Sequence, residues 1–177
     1  MCSTLEPAAA KPDDLINAMR QLRNAFGQYP TGVTVITAAA RDGRKIGLTA
    51  NSFASLSLDP PLVLWSIGKT SPSCADFVNA GYFAINVLAE HQIELSRRFS
   101  RASPDKYAGV ACRESLGGAV VLDGCSAHFV CRNLAQHDGG DHVIFIGQIE
   151  HYEADGHAPL VFHSGQYGAV ANNPSRI

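Results

Sequence analysis

Gly47-Leu48-Thr49-Ala50-Asn51-Ser52-Phe53-Ala54-Ser55-Leu56-Ser57-Leu58-Asp59-Pro60-Pro61 sets the hydroxyls of Thr49, Ser52, Ser55 and Ser57 and the amide of Asn51 into a segment that reads as two sheet strands. The double proline ends it, because proline cannot donate to a ladder. Small hydrogen-bonding side chains on a rigid sheet can hold a polar ligand without crowding it. Taken alone, the same residues read more simply as hydroxyls on a solvated sheet face. The surrounding sequence decides between the two.

Upstream, Gly32–Ala39 is rich in Val, Ile and Thr and reads as a strand, and Asp42-Gly43 is a hairpin turn signal. The quoted segment is then the antiparallel return. Before it, Asp13-Asp14 can cap a helix whose apolar face carries Leu15, Met19, Leu22 and Phe26, with Tyr29-Pro30 ending it. Downstream, Leu62–Ile67 is apolar enough to be a strand buried on both faces. Ser71-Pro72 reads as a helix start, with Ser at the cap, Pro at the first position and a stop at Gly81. Tyr82–Leu88 reads as a strand, and Glu90–Phe99 as a helix with Ile93 and Leu95 inward. Ala102–Leu116 reads as irregular and Ala119–Leu122 as a short strand. Ser126–Gln136 and His142–Tyr152 pair across the loop His137–Asp141, and Pro159–Phe162 is the last strand. Short, hairpin-joined strands with three short helices predict a mainly β, antiparallel barrel.

The 177 residues allow one domain, expected over 13–177 after a loose tail over 1–12. A hydrophobic share of 46% with 17% charged residues is that of a globular chain whose surface invites a partner, hence a homo-oligomer. A net charge of −2 without a basic stripe argues against nucleic acid, since the one basic cluster, Arg97-Arg98 with Arg101, suits a helix C-terminus. Five cysteines without a CxxC pair predict reduced thiols and a cytoplasmic location. No signal peptide and no membrane-spanning run is expected.

GxGxxG after a strand, GxSxG and a Walker A loop are all missing, so the sequence supports no Rossmann site, hydrolase elbow or P-loop. The seven histidines show neither HExxH nor HxH, and no metal is expected. Gly140-Asp141-His142 opens a strand and can set an imidazole at a cavity mouth, where it can donate a hydrogen bond or supply a proton. Phe53, Trp65, Phe99 and Tyr167 are candidate stackers for a flat ring.

In order along the chain stand Phe26–Val35 with Pro30-Thr31-Gly32-Val33, Gly47–Val63, Phe83–Leu88 with Gln92, Arg98-Phe99-Ser100, Lys106-Tyr107, Gly140-Asp141-His142 with Gly147, and Pro159–His163 to Tyr167-Gly168. In this order, over roughly residues 20–170, the chain resembles the flavin reductase-like family. These are short NAD(P)H:flavin oxidoreductases that serve as the small components of two-component flavin monooxygenases.

The resemblance implies a flavin-binding split β-barrel of Greek-key-like topology, a homodimer with flavin near the subunit interface, and reduction of FMN or FAD by NAD(P)H, with NADH preferred over NADPH by family habit. It also implies a separate oxygenase that receives the reduced flavin. It places Thr49, Ala50, Asn51, Ser52 and Ser55 along the ribityl chain and phosphate, with Ser66, Lys69 and Ser71 completing that shell. Arg98 and Phe99 would bracket the flavin tail, Thr31 would face the isoalloxazine edge, and Tyr167 is the stacker at the C-terminal motif. The catalytic position is His142, on the nicotinamide side. His163–Tyr167 departs from many relatives in lacking an arginine. Fold does not settle function. A non-catalytic flavin carrier or sensor, and a flavoprotein reducing another acceptor such as a cobalt corrinoid or ferric iron, are the alternative readings.

Overall fold

The computed structural model describes residues 12–171. The expected tail falls outside them except at Pro12, which begins helix α1 (Pro12–Phe26). Proline suits a first helical position, so Asp13-Asp14 lie in the first turn and not at the cap. The apolar face of α1 is uncovered, with Leu15, Met19, Leu22 and Phe26 each more than half exposed.

The strands follow as β1 (Thr31–Gly32), β2 (Thr34–Ala39), β3 (Lys45–Ala50), β4 (Ala54–Leu58) and β5 (Pro61–Gly68). The expected single strand over Gly32–Ala39 breaks at Val33. Its N–H donates to Leu160 O (3.2 Å) while its carbonyl accepts from Leu88 N (2.9 Å), so the chain changes sheets there. The predicted hairpin at Asp42-Gly43 joins β2 to β3, with Gly43 at φ 81° where a Cβ would be strained. β5 alternates. Val63, Trp65 and Ile67 are buried and the residues between them are not, so it has one core face where two were expected.

Helix α2 (Cys74–Asn79) begins later than expected. Ser71-Pro72 instead makes a turn in which Ser71 N donates to Gly68 O (2.9 Å) and Ser71 O accepts from Cys74 N (3.0 Å). Strand β6 (Tyr82–Val87) precedes a 3-10 turn and helix α3 (Ile93–Phe99), whose buried residues are Ser96 and Phe99; Ile93 and Leu95 are only partly buried. The stretch read as irregular contains β7 (Cys112–Glu114), paired with β8 (Val120–Leu122). β9 (Ala127–Gly139) and β10 (His142–Ala154) run further than predicted, and only Gly140-Asp141 turns between them. β11 (Leu160–His163) is followed by one more strand, β12 (Gln166–Ala169).

Seven strands form one antiparallel sheet in the order β3-β2-β6-β9-β10-β5-β4, and β1-β11-β12 form a second. The two edge strands of the large sheet are consecutive in the chain, joined only by Asn51-Ser52-Phe53, and β3 approaches β5 across the gap. The sheet therefore curls until its edges meet, and the hydroxyl-rich segment crosses the seam of the barrel. Inside, Trp65 stacks on Phe145 (centroids 4.5 Å) and meets Phe77 edge-on (5.1 Å). Asn86 is the principal polar group of the interior. Its Nδ2 donates to Val35 O (3.0 Å) and Val120 O (3.2 Å), and its Oδ1 accepts from Leu122 N (2.8 Å).

Candidate active site

A cleft of about 660 Å³ opens beside the seam, walled by β3, by the turn Ser71–Ser73 and by the segment Phe99–Tyr107. Its size suits a nucleotide-sized ligand. Of the residues nominated from sequence it gathers Thr49, Ser71 and Phe99, and it adds the cations of Arg44, Lys45, Arg101 and Lys106. Lys106 donates to Gly47 O (3.0 Å) and Phe99 O (2.9 Å), and burial draws its ammonium pKa down. Tyr107 donates to Ile46 O (2.7 Å), and its burial pushes the phenol up. Both side chains staple the floor of the cleft to β3. They came from a loop with no readable periodicity, so their place against Gly47 could not be read from spacing. Gly47 itself is required: a Cβ there would stand 2.7 Å from Phe99 Cε1.

The hydroxyl segment divides by hydrogen bonding. Thr49 Oγ1 donates to Ser96 O (2.7 Å). Ser52 Oγ accepts from Ser66 N (2.9 Å) and donates to Ser66 O (3.0 Å), latching the seam to β5. Their protons are committed to the main chain, so toward a ligand they are positioning groups. Ala50, whose carbonyl accepts from Thr34 Oγ1 (2.7 Å), is held in the same way. Asn51 and Ser55 are exposed. Thr31 Oγ1 is buried and has no partner.

At the next turn of the barrel, Lys69 N donates to Asp141 O (2.9 Å), and Lys69 Nζ pairs with Asp138 (2.8 Å), whose carboxyl is thereby held below its ordinary range. This ties the Ser66–Ser71 wall to the β9–β10 turn. His142 pairs with Gly68 at the start of β10, and its Nδ1 lies 2.7 Å from Asp141 Oδ1. A carboxylate only accepts, so Nδ1 carries the proton. The neutral ring then offers Nε2 as an acceptor, and only the imidazolium donates there. The same hydrogen bond lowers the pKa of Asp141.

Arg98 and Phe99 do not form a bracket of two side chains. Arg98 donates to Ala108 O (2.6 Å), and the Phe99 ring is fully buried against Tyr107 (5.1 Å). Trp65 is likewise a core residue, at 0% exposure. Tyr167 OH meets Ser96 Oγ (2.8 Å), with Arg97 over its ring at 5.8 Å. Ser96, which the sequence reading passed over, is thus a hub that receives Thr49 on its carbonyl and Tyr167 on its hydroxyl. The available signal was its position three residues before Phe99, on the same helical face.

These groups suit a flavin nucleotide. The cations and hydroxyls of the cleft provide donors for phosphate, and the orphaned Thr31 hydroxyl awaits a polar partner.

Residues 26–171 match the flavin reductase like domain model. The chain is 44% identical over 164 residues to the reductase component of the flavin-dependent trigonelline monooxygenase of Acinetobacter baylyi, covering 93% of this chain but 53% of that protein. It is 45% identical over 152 residues to the FMN reductase (NADH) SmoA of Agrobacterium fabrum, covering 84% of each. Among solved structures it superposes with a TM-score of 0.82 and 41% identity on an oxidoreductase of Sinorhizobium meliloti, covering 90% of this chain and 53% of that one. The chain thus spans about half the length of some of its relatives and most of others. By its fold and its sequence, this chain belongs to the flavin reductase-like family.

Proposed function

We propose that this chain oxidises NADH and passes the electrons to FMN or FAD, delivering reduced flavin to a separate oxygenase. In balance, NADH, oxidised flavin and a proton give NAD⁺ and the dihydroflavin. The observation that carries the reading is the division of the seam segment: hydroxyls locked to the main chain beside a cleft lined by Arg44, Lys45, Arg101 and Lys106, with an unpartnered Thr31 hydroxyl on β1. NADH as donor is supported by the FMN reductase (NADH) relative.

Bound flavin would supply the hydride acceptor, which is where the hard chemistry lies. The protein's part is alignment and exclusion of water, and holding reactants at near-attack distance is the main source of its rate gain. Thr31, Asn51, Ser55 and Ser71 would hold the flavin, and Thr49, Ser52 and Ser66 keep their strands in register beneath it. His142, oriented by Asp141, would contact the nicotinamide side. A homodimer belongs to the proposal and is supported by the uncovered apolar face of α1. So does a cytoplasmic location, which Cys74, Cys112, Cys125 and Cys131, all free thiols, are consistent with. None of the described helices is long and apolar enough to cross a membrane.

The test is an NADH oxidation assay with FMN and FAD titrated separately, alongside the visible absorbance of the purified protein. Rapid NADH oxidation on adding free flavin is expected. Tight flavin without NADH oxidation would make the protein a carrier or sensor. Faster turnover with a cobalt corrinoid or ferric iron would reassign the acceptor.

A further inference from the structure

A second polar cluster lies on the β9–β10 ribbon, towards the ends opposite the Gly140-Asp141 turn. Glu153 faces His128 across the strands, and His151 sits two residues from Glu153 on the same face. His128 Nε2 lies 3.4 Å from Glu153 Oε2, and His151 Nε2 lies 3.5 Å from Glu153 Oε1. The three ligand atoms all fall within 4.8 Å of one another. Around a tetrahedral zinc ion, with bonds of about 2.0–2.2 Å, neighbouring ligand atoms stand about 3.4 Å apart. Each imidazole already stands at about that length from one oxygen of the Glu153 carboxylate, His128 from Oε2 and His151 from Oε1, and the exposed His151 ring is free to turn inward.

His128 is the second, independent observation. It is 2% exposed, and its Nε2 has no hydrogen-bond partner. A buried polar atom left unpaired is costly unless something occupies the place in front of it. The charges around the cluster favour a cation. Arg113 binds Glu153 Oε2 (2.8 Å) and lies 3.5 Å from Asp123, leaving Oε1 on the His151 side, and Asp155 adds a further carboxylate. Two carboxylates, Glu153 and Asp123, thus share one guanidinium, and the charge of Asp155 also acts on His128. The seven histidines show neither HExxH nor HxH, so the sequence leads to no metal being expected, at His151 as at the others. Strand pairing brings His128 to His151, a juxtaposition that no sequence spacing displays.

We infer that His128, His151 and Glu153 form a binding site for a divalent transition cation of the zinc class, with two imidazoles, one carboxylate and an open fourth position. The site would clamp β9 to β10 where the register shifts between Ile149 and His151. It is independent of the flavin site and of the reaction proposed there.

The test uses the untagged full chain, freed of metal by chelation and titrated with zinc chloride, with cobalt(II) as the spectroscopic probe. Expected are one zinc ion per chain, a cobalt absorption band of tetrahedral intensity, and a rise in Tm with zinc. His151→Ala and Glu153→Gln should keep the fold but lose affinity by about tenfold or more each, and should abolish the Tm rise. Both residues are about half exposed, so folding is not at risk as it would be for His128. His137→Ala should leave zinc affinity unchanged. Absence of saturable zinc binding in the wild type, or equal binding by the wild type and the two ligand variants, would overturn the site.

Discussion

Two groups of polar side chains sit on the same barrel and differ in what is left over. Around Asn86, every donor and acceptor is used: the amide binds Val35 O and Val120 O, the carbonyl takes Leu122 N, and Thr37 Oγ1 donates to Val120 O. At the seam, Thr49 and Ser52 are committed and Asn51 and Ser55 face solvent, while on β1 of the small sheet the Thr31 hydroxyl oxygen is buried and unpaired. A closed network specifies the fold, whereas an incomplete one marks a place prepared for something else. Residue type does not separate the two groups, because Thr and Asn occur in both. Their hydrogen-bond accounts do.

The comparison can be broken at the closed side first. Asn86→Leu takes the side-chain partner from Leu122 N–H and from Val35 O, leaving Val120 O with Thr37 alone, and should cost about 3 kcal/mol or more. Urea unfolding should show the loss while the flavin affinity of the folded protein is unchanged; a large affinity loss would mean that this network serves the ligand. Gly47→Ala drives a Cβ into the Phe99 ring, which has nowhere to move, and should cost about 1–3 kcal/mol. It should also narrow the cleft, so flavin affinity falls with stability.

Ser52→Ala removes the latch to Ser66, and about 1–2 kcal/mol of stability should go with two hydrogen bonds. Flavin affinity should fall before the hydride-transfer rate does, and single-turnover NADH oxidation at saturating flavin separates the two. Thr31→Val is the sharpest variant. It deletes an unpaired buried hydroxyl at nearly constant volume, so stability should stay within about 0.5 kcal/mol. Flavin binding should weaken several-fold; an unchanged Kd would remove Thr31 from the site. The smallest effect on the fold is expected for His142→Ala, whose ring is half exposed. Its KM for NADH should rise while the flavin Kd stays constant, and unchanged steady-state kinetics would end its assignment.

Much of this was legible in advance where local chemistry dictates backbone. Asp42-Gly43 announced its hairpin, the double proline ended β4, and Asp141-His142 opened β10, because turn residues act over two or three positions. Elements without that chemistry were missed. Gln166-Tyr167-Gly168-Ala169 has no alternation to betray β12, whose partner β11 supplies the pairing. The glycines at 139–140 suggested a longer loop than the two-residue turn that forms. The site was legible in its residue types and not in their orientation. Nothing in Arg98-Phe99 shows that the ring turns into the core, and nothing in Ser96 shows that two distant strands converge on it. Those facts are decided by tertiary packing.

The seam at Asn51-Ser52-Phe53 has a mechanical implication. A barrel closed by three residues and one serine latch has its weakest joint beside the cleft. Whatever fills the cleft and binds those residues also cinches the joint, so occupancy and closure rise together. Slow amide exchange at 50–54 would then act as a gauge of loading, tight when flavin is held and loose once it has been handed on.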